Sequence, residues 1–485
     1  MKIAFVASEV VPFAKTGGLA DVSGSLPPVI SNLGNDVKVF MPKYFSIDSK
    51  KYDLKENKLV GVFPVTINGF EYLGKVFKGF LPDTDVEVYF IDQPYFFHRS
   101  QLYTNDLDED ARFVFFQKAV LITIQRLGWK PDIIHCNDWQ TGLIPLYIKD
   151  NFSWDKLFEK TATVFTIHNI GYQGRFAKSA LFSAEIDGKH FYPAGPAEYF
   201  DDVNFLKAAL WYSDMINTVS EKYAEELLTE EYGSGMQDTL TSRKDDFVGI
   251  LNGVDYEDWS PEKDKLIPQK YTPSTLENKA VNKKALCEKF ELKDDPEIPV
   301  IGIVSRLATQ KGFDLIEKAM NDLIKLNCQL VVLGSGEIEY EEMFTEFAEK
   351  HPEKIAIWIG YNIELSHLIE AGSDMFLMPS HYEPCGLNQI YSLRYGTVPI
   401  VRETGGLADT VINWNDSKST GTGFSFSEYT PEAMMEAIRN AINLFTQKEK
   451  WKKIQENGMK LNFSWTESAK KYIELYQKAK NKRNL

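Results

Sequence analysis

The hexapeptide TGGLAD occurs twice in this chain, at 16–21 and 404–409, and the residue before each copy differs: Lys15 in one, Glu403 in the other. In the first copy Gly17 and Gly18 follow a short apolar run and precede a helical pattern. Without Cβ atoms the backbone can approach a ligand closely, and a helix start adds unpaired N–H groups and a positive dipole end. Lys15 adds a full charge. Lys15, Gly17 and Gly18, with Asp21 closing the hexapeptide, therefore make a candidate phosphate loop, against the bland alternative of a Gly-Gly turn beside a solvated lysine. The spacing is neither Walker A nor G-x-G-x-x-G.

Other residues could join such chemistry. VSRLATQKG sets Arg306 and Lys311 in a loop after an apolar run. A guanidinium that binds two oxygens at once and an ammonium point charge suit a diphosphate, though an exposed basic loop would look the same. EPCGLNQ brings Glu383, Cys385, Gly386, Leu387 and Asn388 to a helix start. A carboxylate there can hydrogen-bond sugar hydroxyls or steady developing positive charge, or merely complement the helix dipole. A helix N-terminus lowers a thiol pKa, but no histidine pairs with Cys385, so packing or ligand contact is the better reading. His168 and Asn169 in TIHNIGYQG, Asp138 in HCNDWQ, Glu9 and Tyr361 follow or close apolar runs, and His135 lies just before Asp138. The second hexapeptide offers Thr404 and Gly405 without a cation. No metal-ligand spacing such as HExxH occurs. DTD (83–85) and DLD (106–108) match a DxD metal motif, which arises readily by chance in an acidic chain. GSGEIE (334–339) has Glu339 where a dinucleotide loop needs glycine, which argues against a hydride-transferring enzyme.

These residues need a frame. Short apolar runs recur at 2–8, 36–42, 132–138, 162–168, 214–220, 247–253, 299–305, 329–335, 354–360, 374–380 and 398–403. Most are Val/Ile-rich without polar alternation, as expected of strands buried on both faces of a parallel sheet. Helical patterns lie between them, over 109–127 and about 278–291. Thr430-Pro431 opens a helix to about Phe445, and Ser464 with Glu467 reads as a capping box for a last helix to about Lys478. The polar stretch 252–298 reads as a hinge, dividing the chain into domains of 1–250 and 251–462, with 463–485 a terminal helix. In such sheets ligands bind outside the carboxyl ends of the strands, where the candidate residues fall.

The chain has 485 residues, enough for two large domains. Its formal net charge of −15 argues against a nucleic-acid partner. Cys136, Cys287, Cys328 and Cys385 are scattered, which suits a reducing cytoplasm. MKIAFVASEV reads as a buried strand rather than a leader, and no run approaches the ~18 apolar residues of a membrane span.

Taken in order, KTGGLADV (15–22), HCNDWQTGL (135–143), FTIHNIGYQG (165–174), GILNGVDYEDWSP (249–261), VSRLATQKG (304–312), EPCGLNQ (383–389) and TGGLADTV (404–411) resemble the bacterial glycogen synthase and plant starch synthase family, from Met1 to the last helix. The resemblance implies an α/β GT-B fold, two Rossmann-like doubly wound parallel-sheet domains facing across a deep cleft, with the last helix crossing back to the first domain. It implies a retaining transfer of glucose from ADP-glucose to the non-reducing end of an α-1,4-glucan such as glycogen, with no metal and no cofactor. UDP-glucose as donor, and a non-catalytic relative, are the competing readings. Lys15, with Gly17 and Gly18, would approach the donor's phosphate and sugar, and Arg306 and Lys311 would hold the diphosphate. His168 would contact the transferred glucose, Asp138 and Asn169 would place sugar and acceptor, and Glu383 would face the glucose with Cys385, Gly386 and Leu387 alongside. Tyr361 would stack near the adenine. Glu9, Asp21, Asn252, Asn388, Thr404 and Gly405 complete the expected binding set. Asn388, where many members carry Thr, and Tyr391, where related enzymes hold the ribose with an acid, are departures.

Overall fold

The apolar runs form the strands they predict, and all of them pair in parallel. The computed structural model describes residues 1–484. The chain divides into two units, the first comprising Met1–Val219, Ala224–Gly253 and the segment from Trp465, the second Ser220–Tyr223 and Val254–Ser464.

In the first unit the parallel strands run in the order 247–249, 215–218, 162–167, 133–137, 2–6, 36–42, 87–92. The sheet extends through the antiparallel strand Phe70–Phe80, which pairs with Phe63–Ile67 and with Lys55–Glu56. Strand Lys2–Val6 lies between Asp36–Pro42 and Ile133–Asn137, with Ile3 opposite Val37 and Ile133. The chain leaves 2–6 toward one edge of the sheet and 133–137 toward the other. Their carboxyl ends therefore flank a topological switch point, where the two connecting loops diverge and leave a crevice. Helix Glu109–Leu127 has buried residues all round, including Phe113, Phe115 and Phe116, so it is an internal helix rather than an amphipathic cover.

The last helix, Trp465–Arg483, belongs to this unit. Tyr476 bonds the buried His135 ring at 2.8 Å, Tyr472 accepts from Asn217 at 3.2 Å, and Lys480 pairs with Asp132 at 2.8 Å. Its expected capping box is absent: Asn462 Oδ1 takes the Ser464 amide, and Glu467 turns to Lys470. Helix Pro431–Phe445 is capped as expected, with Thr430 Oγ1 accepting from the Ala433 amide.

The second unit is wholly parallel, in the order 355–359, 329–334, 300–304, 375–378, 398–402, 424–426. Its switch point lies between 300–304 and 375–378. Its main core packs Ile301, Leu330, Met375 and Ile400 from the sheet against Leu315, Met320, Ile438 and Leu444 from helices. Within the polar stretch, Trp259 stacks between the rings of His367 and Tyr391, with centroids 3.7 and 4.0 Å away.

Candidate active site

At the first unit's switch point, the loop after strand 2–6 is held from below by Glu9. Its carboxylate is 3% exposed and accepts from the Thr16 and Gly17 amides, from Thr16 Oγ1 at 2.6 Å, and from Tyr103 OH at 2.6 Å. Two of the amides expected to face a phosphate are thus already used by the protein, and Glu9 anchors the loop. What remains is the start of helix Gly18–Asn32, whose Gly18 and Leu19 amides have no acceptor inside the helix. Lys15, Thr16, Gly17 and Gly18 are exposed, and no protein atom lies within 4 Å of where a Cβ on either glycine would stand. Lys15 Nζ pairs with Asp21 at 2.7 Å in a solvent-facing contact.

The neighbouring loop begins at Asp138, whose φ of +55° turns the chain sharply out of strand 133–137. Its buried carboxylate accepts from the His168 amide at 2.8 Å and from the Asn169 amide. Burial pushes its carboxyl up to about 7, against those hydrogen bonds, with Glu9 adding to the rise. Asp138 therefore shapes the His168–Asn169 turn. The His168 ring bonds Asn137 Oδ1 through Nε2 at 2.9 Å, and the Asn137 amide nitrogen is spent on Val6 O. Asn137 thus fixes His168 as the Nε2–H tautomer, with Nδ1 a bare acceptor. Burial lowers the His168 pKa to about 3, so the ring is neutral at pH 7. His135, the other histidine of the pair, is fully buried between Tyr476 and Thr166 and plays no part here.

In the second unit, backbone bonds clamp the loop on both sides of Arg306: Ser305 N to Leu333 O, Leu307 N to Ser335 O and Glu337 N to Leu307 O. Gly334 and Gly336 lie against these backbones, which is the structural use of GSGEIE. The Arg306 side chain is left exposed, with no carboxylate on it. Lys311 Nζ reaches Glu383 Oε2 at 2.6 Å, and Ser380 Oγ donates to the same oxygen at 3.0 Å. Glu383 is 5% exposed. Gln310 ties the two loops together through His381 N and Tyr382 O. Gly386, at φ +70°, and Leu387 lead into helix Asn388–Tyr395. Cys385 is buried beneath them. Asn388 Nδ2 donates to Val304 O at 2.6 Å, so this departure side chain bridges the helix start to the strand end that carries Arg306.

Thr404 and Gly405 open helix Gly405–Thr410 and are buried. Gly405 has φ +44°, and a Cβ there would overlap Glu383 O; one on Gly406 would overlap Cys385 O. The second hexapeptide thus packs against the Glu383 loop. Two expected residues lie away from the switch points. Asn252 is buried beyond the edge strand Phe247–Gly249, and Tyr361 stands 80% exposed beyond the edge strand Ile355–Ile359. Neither DxD match forms a metal site: Asp106 and Asp108 both grip Arg99, and 83–85 lies in the turn joining strands 70–80 and 87–92. Tyr103, Asn137, Gln310 and Ser380 were not foreseen as supports. Asn137 and Ser380 adjoin motif residues, whereas Tyr103 sits in a loop with no pattern.

Switch-point loops bearing cations on two Rossmann-like sheets define a glycosyltransferase of the GT-B class, and similarity to known proteins narrows the class. Residues 2–242 match the starch synthase catalytic domain, and residues 287–461 match the glycosyl transferases group 1 family. The chain is 45% identical to a glycogen synthase of Geotalea daltonii, covering 98% of each, and 43% identical to one of Thermotoga maritima, covering 99% of each. The catalytic domain of starch synthase IV from Arabidopsis thaliana, solved bound to ADP and acarbose, superposes with a TM-score of 0.90 at 33% identity over 99% of both chains. This chain belongs to the glycogen and starch synthase family.

Proposed function

We propose that the enzyme transfers glucose from ADP-glucose to the non-reducing end of an α-1,4-glucan, with retention, in the cytoplasm. Glucan elongation in glycogen biosynthesis is the activity of its family. The observation that carries a nucleoside-diphosphate donor is Arg306: an exposed guanidinium with no carboxylate partner, held by a clamped backbone beside the Lys311–Glu383 pair. A nucleoside diphosphate supplies the missing anion.

As the donor's C1–O bond breaks, its electrons pass to the phosphate oxygen. Arg306 and Lys311 stabilise that charge more in the transition state than before it. The acceptor's 4-hydroxyl attacks C1 from the face the phosphate leaves, and its proton passes to the departing phosphate oxygen. Glu383 steadies the positively charged glucosyl carbon. Neutral His168 cannot act as an acid at pH 7; its Nδ1 and backbone carbonyl accept from sugar hydroxyls. Lys15 and the open Gly17–Gly18 turn receive anionic or hydroxyl-bearing substrate groups.

The test is incubation with glycogen and radiolabelled ADP-glucose or UDP-glucose, following label in the polymer. Elongation from ADP-glucose is expected. Preference for UDP-glucose overturns the donor, and no transfer from either overturns the activity.

A further inference from the structure

A second cluster of cations stands at the opposite end of the first unit's sheet. Ser213 and Asp214 immediately precede strand Met215–Thr218, so they mark amino ends of strands, whereas the switch-point loops leave carboxyl ends. Around them is a cavity of about 230 Å³ lined by Lys149, Trp211, Ser213, Asp214, Arg243 and Lys482. That is below the roughly 300–1,000 Å³ of a drug-sized site, which restricts any occupant to a small molecule.

The charges do not cancel. Asp214 is already satisfied: Lys149 Nζ bonds one oxygen at 3.0 Å, and the Thr163 amide and hydroxyl take the other at 2.7 and 3.0 Å. Asp246 is shared by Arg243 and Lys482, and Arg243 also donates to the Leu210, Trp211 and Ser213 carbonyls, which leaves one guanidinium N–H for a ligand. Arg483 brings a fourth cation close enough to act on Lys149, and its buried Nε has no hydrogen-bond partner. Among the described residues, three lining cations, Lys149, Arg243 and Lys482, thus stand against two carboxylates, with Arg483 nearby, in a protein whose overall charge is −15. Lys149 is held below the ordinary lysine value by burial, against Asp214, with Arg483 and Arg243 adding to the fall. The strongest pointer to a ligand is Ser213. It is 1% exposed, lines the cavity, and its Oγ bonds nothing in the protein. A buried hydroxyl without a partner costs free energy that a ligand oxygen would recover. Trp211, 43% exposed on the same wall, offers a ring face to a sugar.

We propose that this cavity binds a small phosphate monoester, the phosphate seated among Lys149, Arg243, Lys482 and the Ser213 hydroxyl, and the sugar against Trp211. Phosphate suits the site better than carboxylate because three oxygens can meet three cations and a hydroxyl at once.

Calorimetry on the full chain, with ADP in excess to occupy the donor site, tests this. The probes are inorganic phosphate, glucose 1-phosphate and glucose. Saturable binding of glucose 1-phosphate is expected, with inorganic phosphate weaker and glucose silent. Phosphate binding as tightly as the ester would remove the sugar from the proposal. Lys482→Ala, on the exposed last turns of the terminal helix, should weaken binding about tenfold, and Ser213→Ala by about threefold, as expected for lost charge-assisted and hydroxyl contacts. Ser213→Ala removes only an unpartnered oxygen, so its melting temperature should not fall, which separates binding from folding. Absence of saturable heat, affinity unchanged in both variants, or binding abolished by ADP would each overturn the proposal.

Discussion

The two TGGLAD loops have the same letters and opposite relations to the protein around them. At 16–21 the glycines face open space and the preceding lysine reaches solvent, while a buried acid, Glu9, holds the loop from beneath. At 404–409 the glycines are filled from outside by the backbone of Glu383 and Cys385, and the preceding Glu403 bonds Ser425 and Ser427 at 2.6 Å each. One loop has open space at its glycines, as the proposed substrate contact requires. The other is glycine-rich because the chain itself comes close. A Gly-Gly pair therefore does not distinguish a binding loop from a packing loop; the atoms within 4 Å of each missing Cβ do.

Exchanging the charge that precedes each copy should give the largest contrast. Lys15→Ala is expected to lower kcat by ~10²–10³-fold, the scale of losing one preorganised group that stabilises developing charge. Its melting temperature should hold within about 1 kcal/mol of stability, because an exposed ion pair contributes no more than that. Steady-state kinetics with ADP-glucose beside a thermal melt checks both halves. Near-normal turnover would make the first copy a structural loop like the second.

Adding a methyl group comes next. Gly405→Ala must relieve an overlap with Glu383 O at a positive φ, and should cost roughly 3 kcal/mol, in the range of mutations that strain a packed backbone. Gly17→Ala meets nothing and should stay within about 0.5 kcal/mol, while activity falls because the new methyl intrudes on the ligand's side. Denaturant melts of the two variants, read with their activities, decide this. Equal stability losses would mean the open space at Gly17 is not real.

A smaller effect concerns how each loop is supported. The first unit's switch point rests on buried acids. Asp138, raised from 3.8 to about 7, binds more protons folded than unfolded across that window, so stability falls as pH rises through it. Asp138→Asn keeps a side-chain acceptor for the His168 amide and should flatten the fall of melting temperature between about pH 4 and 7 by a few degrees. The second loop, resting on backbone packing, should show no matching slope in Glu403→Gln.

The elements were legible in the sequence because both sheets bury parallel strands on two faces, which writes them as unbroken apolar runs such as 329–334. Of the runs that escaped, 63–67 and 70–80 alternate between buried and exposed residues in the antiparallel extension, whereas 87–92 and the three-residue 424–426 are parallel strands outside the expected runs. Lys15, Arg306 and Lys311 could be placed at strand ends from their position alone. What the sequence could not convey was which groups are already spent. Glu9 takes two amides that looked free, Asp138 turns its carboxylate to the backbone of His168 and Asn169, and His135 is committed to Tyr476, 341 residues away. Each depends on a contact distant along the chain, and a motif shows only its neighbours.

The smallest effect on turnover is expected at Glu403, the counterpart of Lys15. Its carboxylate sits on two serine hydroxyls beside strand 424–426, and these hold its pKa below the usual glutamate value. Both bonds are exposed and compete with water, so Glu403→Ala should cost only about 1 kcal/mol and leave kcat within about twofold. Losing the side chain removes a brace for the second hexapeptide without removing a charge from the chemistry. The informative measurement is the ratio of the two variants' losses, Lys15→Ala over Glu403→Ala, in turnover and in stability separately. A large ratio in turnover with a ratio below one in stability is the signature of one binding loop and one packing loop. A drop in kcat for Glu403→Ala comparable to that for Lys15→Ala would mean the second copy also works on the substrate, and that its glycines serve the Glu383 loop and the donor together.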